Sequence, residues 1–115
     1  MGTFMASNKH IVVSNVSTSA VLQVDVATTL SFYIAERVQN IALAEVTYRV
    51  VKIDGRSESV LNDWVVIPAT VDDIYTFDCT VTGITTSNSI RLDFKIVDID
   101  GLETFISNTD INVIS

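Results

Sequence analysis

Apolar and polar residues alternate with a period of two along most of the chain, which is the pattern of β-strands that each bury one face. The clearest run sets Ile90, Leu92, Phe94 and Ile96 against Arg91, Asp93 and Lys95. A second sets Tyr75, Phe77, Cys79 and Val81 against Thr76, Asp78, Thr80 and Thr82, and it ends at Gly83, where the chain turns without a Cβ penalty. Cys79 therefore belongs to an apolar face. Further strands are predicted over 11–16, 20–26, 29–35, 45–53, 59–67 and 103–113. Leu30, Tyr33, Ile34, Val38, Ile41 and Ala42 also fit a helical stripe. Leu30, Phe32 and Ile34 alternate with Ser31 and Tyr33, however, so residues 29–44 are read as a strand followed by a loop. Pro68 cannot donate to a ladder and closes the run Val65-Val66-Ile67.

Asp54-Gly55 and Asp100-Gly101 mark two hairpins, each expected to be a two-residue type I′ turn with positive φ at both central positions. The preceding residues are alike at an offset of 46: Tyr48-Arg49-Val50-Val51-Lys52-Ile53 beside Phe94-Lys95-Ile96-Val97-Asp98-Ile99. Two copies are too few for a solenoid. They are read as two hairpins of one sheet that solve the same turn problem alike.

About seven or eight short strands separated by turn signals describe an all-β antiparallel sandwich, with a jelly-roll sandwich as the alternative. The segment Tyr75-Thr76-Phe77-Asp78 through Phe94 to Gly101 and on to Ile111-Asn112-Val113 resembles the last three strands of immunoglobulin-like and fibronectin-III-like modules of bacterial surfaces and phage particles. Val46-Thr47-Tyr48-Arg49-Val50 resembles their third strand. The chain departs from antibody-type domains in having no cysteine pair, and Trp64 falls later than their usual buried tryptophan. The resemblance implies an Ig-like fold and carries no activity with it.

The 115 residues suit one core, read as a single domain over 9–115 behind an N-terminal arm over 1–8. Met5-Ala6-Ser7 looks like a second start behind a cloning scar, so Gly2 is not read as a myristoylation signal, and no secretory signal is visible. Seven Lys and Arg against fourteen Asp and Glu leave a net charge of -7, which argues against nucleic acid and anionic membranes as partners. Hydrophobic residues make up 48%, yet no run approaches the roughly 18 needed to span a bilayer, so that surplus belongs inside protein. The sequon Asn15-Val16-Ser17 matters only on a eukaryotic secretory route.

Chemistry-bearing groups are sparse. His10 is the one imidazole and Cys79 the one thiol; a dyad of the two requires Cys79 to leave its apolar face. No Gly-x-Ser-x-Gly elbow focuses a serine nucleophile. Asp98, Asp100 and Glu103, and separately Asp72 and Asp73 near Asp78, offer oxygen ligands of the kind Ca²⁺ takes, but Phe105 and Ile106 stand where ligands should continue. If Asp100-Gly101 is a two-residue turn, Asp98 and Glu103 face each other, a carboxylate pair of the kind that hydrolyses sugars, though short loops make no cleft. The expectation is a protein without catalytic residues, metal or cofactor, and without bound Ca²⁺.

Arg49-Val50-Val51-Lys52-Ile53 and Trp64-Val65-Val66-Ile67 carry apolar residues on both strand faces, and two stacked sheets hide only one. Something else must cover the outer set: another subunit, a neighbouring protein, or a loop of the same chain. Tyr33, Tyr48 and Trp64 are the candidate interface anchors. The function expected is non-catalytic assembly, as a homo-oligomer or docked into a larger particle. The Ig-like resemblance implies a phage virion component (head decoration, connector or tail) and a virion location. The competing reading is an extracellular bacterial Ig-like module that meets a carbohydrate or protein through its loops, favoured by an exposed aromatic platform near them.

Overall fold

A computed structural model describes residues 10–17, 21–68, 71–84, 88–108 and 112–114. Strands form in each predicted region. They are β1 (Ile11–Asn15), β2 (Val21–Gln23), β3 (Thr28–Glu36), β4 (Leu43–Asp54), β5 (Ser57–Val60), β6 (Val65–Val66), β7 (Ile74–Cys79), β8 (Ser89–Asp98), β9 (Glu103–Asn108) and β10 (Asn112–Ile114). Several are shorter than the alternation suggests: the run over 20–26 is a strand only over 21–23, that over 75–81 ends at Cys79, and that over 103–113 leaves β8 at Asn108, with a separate strand over 112–114 that pairs β2. Residues 1–8, read as an arm, lie outside the described residues. After β3 the chain runs as a loop over 37–42 and not as a helix. Among the described residues no helix is long and apolar enough to cross a membrane.

Antiparallel pairing builds one sheet in the order β1-β3-β7 and a larger one in the order β5-β4-β8-β9, with β6 also on β4. A short parallel pair, β2 with β10, stands beside them. In Ig lettering, β1, β3 and β7 are strands A, B and E, while β5, β4, β8 and β9 are C′, C, F and G. The fold is an Ig-like β-sandwich. Phe32, Leu30 and Ile34 of β3 meet Leu92, Phe94 and Ile96 of β8 in one core cluster, joined by Tyr48, Phe77 and Cys79. Phe32 lies edge-on to Phe94 with centroids 5.0 Å apart, and Tyr48 stacks on Phe77 at 4.1 Å.

Both hairpins form where Asp-Gly stands, but neither is the expected type I′ turn. Asp54 pairs with Ser57, so the two-residue loop is Gly55-Arg56, with positive φ at Gly55 and not at Arg56. In the second, Gly101 donates its N–H to the Asp98 carbonyl and Asp98 donates its own to Leu102, while Gly101 takes φ +86°. That is a three-residue loop, a type I turn followed by a left-handed glycine at a G1 bulge. Val97, and not Asp98, is the partner of Glu103, so the facing pair Asp98 and Glu103 does not form. Asp98 instead accepts the N–H groups of Asp100 and Leu102 on Oδ1. The two like segments are neighbours, with Tyr48 directly opposite Phe94, and both hairpins belong to the larger sheet; their turns differ.

The strand predicted over 59–67 is two pieces. Residues 57–67 follow the whole edge of β4, but at Leu61–Trp64 the chain detours from the ladder. The Asn62 side-chain oxygen takes the Val50 N–H in place of a backbone carbonyl, and pairing resumes through Val65 and Val66. The sequon is absorbed into the fold in a similar way. Asn15 Oδ1 accepts the Ser17 N–H, and the Ser17 hydroxyl accepts the N–H of Ser31 and lies 3.3 Å from its carbonyl.

Candidate interaction face

The detour has a consequence on the outer side of the larger sheet. It carries Trp64 over the face on which β4 and β8 project Arg49 and Lys95. The Arg49 guanidinium lies 4.6 Å from the indole centroid and the Lys95 ammonium 5.5 Å, both within cation–π range. Phe105 of β9, opposite Lys95 in register, sets its ring 6.1 Å from the indole at 58°. Among the described residues no carboxylate pairs with the Lys95 ammonium, which faces the neutral indole ring.

Beneath these rings runs a polar network centred on Asp93, whose side chain is nearly buried. Its carboxylate accepts from Arg49 Nε at 3.0 Å, from Arg91 Nε at 2.7 Å and from the Ser107 hydroxyl at 2.9 Å. Arg91 also reaches Glu58 of β5 at 3.0 Å. Burial alone pushes the Asp93 carboxyl up, but the hydrogen bonds from Arg91, Ser107 and Arg49 outweigh it and hold the group below the usual carboxylate range. Hydrogen bonds to Asp93 and to Glu58 raise Arg91 in turn. One carboxylate thus ties β4, β8 and β9 together and sets the guanidinium on which Trp64 rests.

Around this centre the face is apolar and open. Phe105 is 62% exposed, Val66 57% and Val60 51%. Val51, of the same outward parity and paired with Val60 and Arg91, is 1% exposed. Part of the outward apolar set is therefore buried within the protomer, and part is left in solvent.

The three predicted anchors separate. Trp64 is on this face. Tyr48 is not an outward anchor: its ring is core, stacked on Phe77, with its hydroxyl 3.4 Å from the Asp78 carbonyl, because even-numbered positions of β4 face inward. Tyr33 lies on the smaller sheet, half-buried, its hydroxyl accepting from Arg37. Phe105 was not among the anchors, although its alternation with Thr104 and Ile106 in 103–108 marks it as outward.

A second polar centre escaped the sequence reading. Glu36 continues the inward parity of Leu30, Phe32 and Ile34 and is buried. It accepts the backbone N–H groups of His10, Val38, Gln39 and Ile41 at 2.9–3.1 Å. The signal was a charged residue one step beyond three apolar ones on the same face. The loop it organises lines a cavity of about 300 Å³ with Tyr33, Arg37, Asn40 and Leu43. Desolvation works against the charged form, but the donors from Ile41, His10, Val38 and Gln39 lower the pKa to about 2. The carboxylate is a loop organiser and not a proton donor at neutral pH.

A depressed pKa stabilises the fold fully above the ordinary value of 4.5, and that contribution is lost as pH falls through about 2. The expected result for Glu36→Gln is a lower melting temperature at pH 7 and a gap to the wild type that narrows between pH 4.5 and 2. Calorimetry across that range checks it; a constant gap contradicts the assignment.

Cys79 is buried in β7, and burial pushes its thiol up to about 11, whereas His10 is exposed before β1. No dyad forms between them. Among the described residues no group of three or more His, Cys, Asp or Glu is placed to hold a metal ion.

No family model and no curated protein matches the sequence. Solved structures do match in shape. A superoxide reductase (neelaredoxin) from Ignicoccus hospitalis is similar at a TM-score of 0.51 and 12% identity, over 96% of this chain and 86% of that one. Murine CRIg is similar at a TM-score of 0.49 and 8% identity, over 92% and 99%. At such identities the first likeness concerns the fold alone, and the activity in its name stays with that protein.

Proposed function

We propose that the chain is a non-catalytic assembly module that self-associates through the outer face of its larger sheet, as a component of a larger particle of the phage-virion type. The observation that carries the reading is the exposed apolar set Phe105, Val66 and Val60 beside Trp64, on a face whose ion pairs are satisfied internally. Large rings in a flat apolar setting supply most of the affinity at protein interfaces. Arg49, Arg91 and Asp93 are already paired within the protomer, so they cost less to desolvate on docking than unpaired charges would. The net charge of -7 keeps unspecific contacts weak. The loop-binding alternative asks for an aromatic platform at the loops. Among the described residues the exposed large apolar side chains of the loops are Val16, Val26, Val38 and Ile99, none of them aromatic; Trp64, in the Leu61–Trp64 detour, lies over the sheet face beside Phe105.

Light scattering coupled to size exclusion tests the proposal. The full chain is expected to run above monomer mass and to keep that mass as salt rises, because apolar burial is not screened. A strict monomer at every concentration and ionic strength overturns it.

A further inference from the structure

The register and the backbone hydrogen bonds decide which groups of β9 remain open. Asp98 donates its N–H to the Leu102 carbonyl, so Leu102 turns its backbone toward β8. Ladder bonds alternate by two residues, so Thr104, Ile106 and Asn108 do the same. Glu103, Phe105 and Ser107 then direct their N–H and C=O groups away from β8, and among the described residues no strand pairs with that side.

The edges of the molecule are not alike. Along β5 and β6 the edge is interrupted by the Leu61–Trp64 detour and bears Glu58. Beside β7 stand Asp72, Asp73 and Asp78, which repel a second acidic chain. β1 is uncharged, but it lies on the smaller sheet, away from the docking face. β9 has no lysine, proline or glycine, carries one charge at its first residue, and exposes Phe105 on the same face as Trp64. Between Thr104 and Asn108 it has none of the charges, prolines or bulges by which edge strands usually avoid pairing.

We infer that two copies of the chain pair edge to edge along β9, antiparallel about a two-fold axis through Phe105, joining their larger sheets into one. This rests on the self-association proposed above and adds a second contact to it: edge pairing extends the outer face, which stays open for docking. An isologous antiparallel edge sets residues of one face opposite each other, and the register centred on Phe105 satisfies every open position: Glu103 with Ser107 of the second copy, Phe105 with Phe105, Ser107 with Glu103. Each of these pairs exchanges two N–H···O bonds. The carboxylate of Glu103 meets a hydroxyl in place of another carboxylate, and the two exposed phenyl rings become cross-strand neighbours about 5.5 Å apart at Cα. Pairing also makes the Trp64 faces of the two copies continuous.

Phe105→Lys and Phe105→Glu, each measured by light scattering alone and then mixed in equal amounts, test the axis directly. Each variant alone places like charges across it and is expected to show half the wild-type mass; the mixture places lysine against glutamate and is expected to recover the wild-type mass. Phe105 is largely exposed, so the folded state should persist, which near-ultraviolet circular dichroism checks. Glu103→Pro is the second variant. It removes an outward N–H at the first residue of a strand, where proline is tolerated, and should likewise halve the mass. A wild type that associates while all three variants keep its mass overturns the β9 pairing and leaves the face reading intact. A wild type that is monomeric overturns both.

Discussion

Phe94→Ala is expected to destabilise the protein by about 3–5 kcal/mol, the loss typical of truncating a large core aromatic. Phe94 is fully buried at the centre of β8, 5.0 Å from Phe32 and 6.5 Å from Phe77 by ring centroids, and directly opposite both Tyr48 and Ile106 in register. The ring is therefore a central contact by which β3, β7 and β8 share one core, alongside the Tyr48–Phe77 stack. Alanine removes the transfer free energy of the ring and leaves a cavity walled by strands held in ladders, which collapse poorly. Against a total stability of about 5–15 kcal/mol for a domain of this kind, the variant loses a large fraction of its margin. Urea unfolding checks it: the midpoint should fall with little change in slope. A loss below about 1 kcal/mol would mean that Phe94 is not the centre of the packing.

Asp93→Ala is expected to cost about 2–3 kcal/mol, although aspartate on the outer face of a sheet would ordinarily be replaceable at little cost. The difference lies in what it leaves behind. Arg49 and Arg91 lose their shared acceptor and Ser107 its partner, so two guanidinium groups flank an empty site between β4, β8 and β9. Asp93→Asn should recover part of the loss by keeping an acceptor oxygen. Because the native carboxyl lies below its usual range, the stabilisation is present above the ordinary pKa of 3.8 and is lost as pH falls through the lowered folded value. The gap between wild type and Asp93→Ala should therefore close in strong acid. Equal stability of the two proteins at pH 7 would reduce the network to an ornament of the surface.

The strands were legible because burying one face of a pleated strand imposes alternation, and the sandwich followed from their number and spacing. Residues 90–96 and 75–79 needed nothing more. Turn chemistry was legible in position and not in type. Asp-Gly locates a reversal, but a type I′ turn needs both residues in the left-handed region, and here glycine alone takes it. Asp98 acts through its side-chain oxygen, accepting two N–H groups of its own loop, a role that spacing does not distinguish from αL tolerance. The apolar surplus on both faces of 49–53 and 64–67 was a sound signal of which only half reached the surface. Parity sent Tyr48 and Val50 inward, Val51 was closed over, and Val66 stayed open. The placement of Trp64 over this face depended on the detour at Leu61–Trp64, a break in the ladder held by an asparagine side chain and invisible to a period-two reading. Glu36 was hidden for the opposite reason: its partners are backbone amides, and no residue type in the sequence announces them.

Trp64 is the chain's one tryptophan and stands at the centre of the proposed face, so its emission reports on that face and no other. The decisive measurement records light-scattering mass and Trp64 emission on the same eluting peak while the full chain is diluted. If the outer face of the larger sheet is the assembly surface, the mass falls on dilution, and the emission shifts to the red and becomes more open to acrylamide quenching in step with it. A mass that falls while the emission and quenching stay constant would place the contact elsewhere on the molecule and contradict the account.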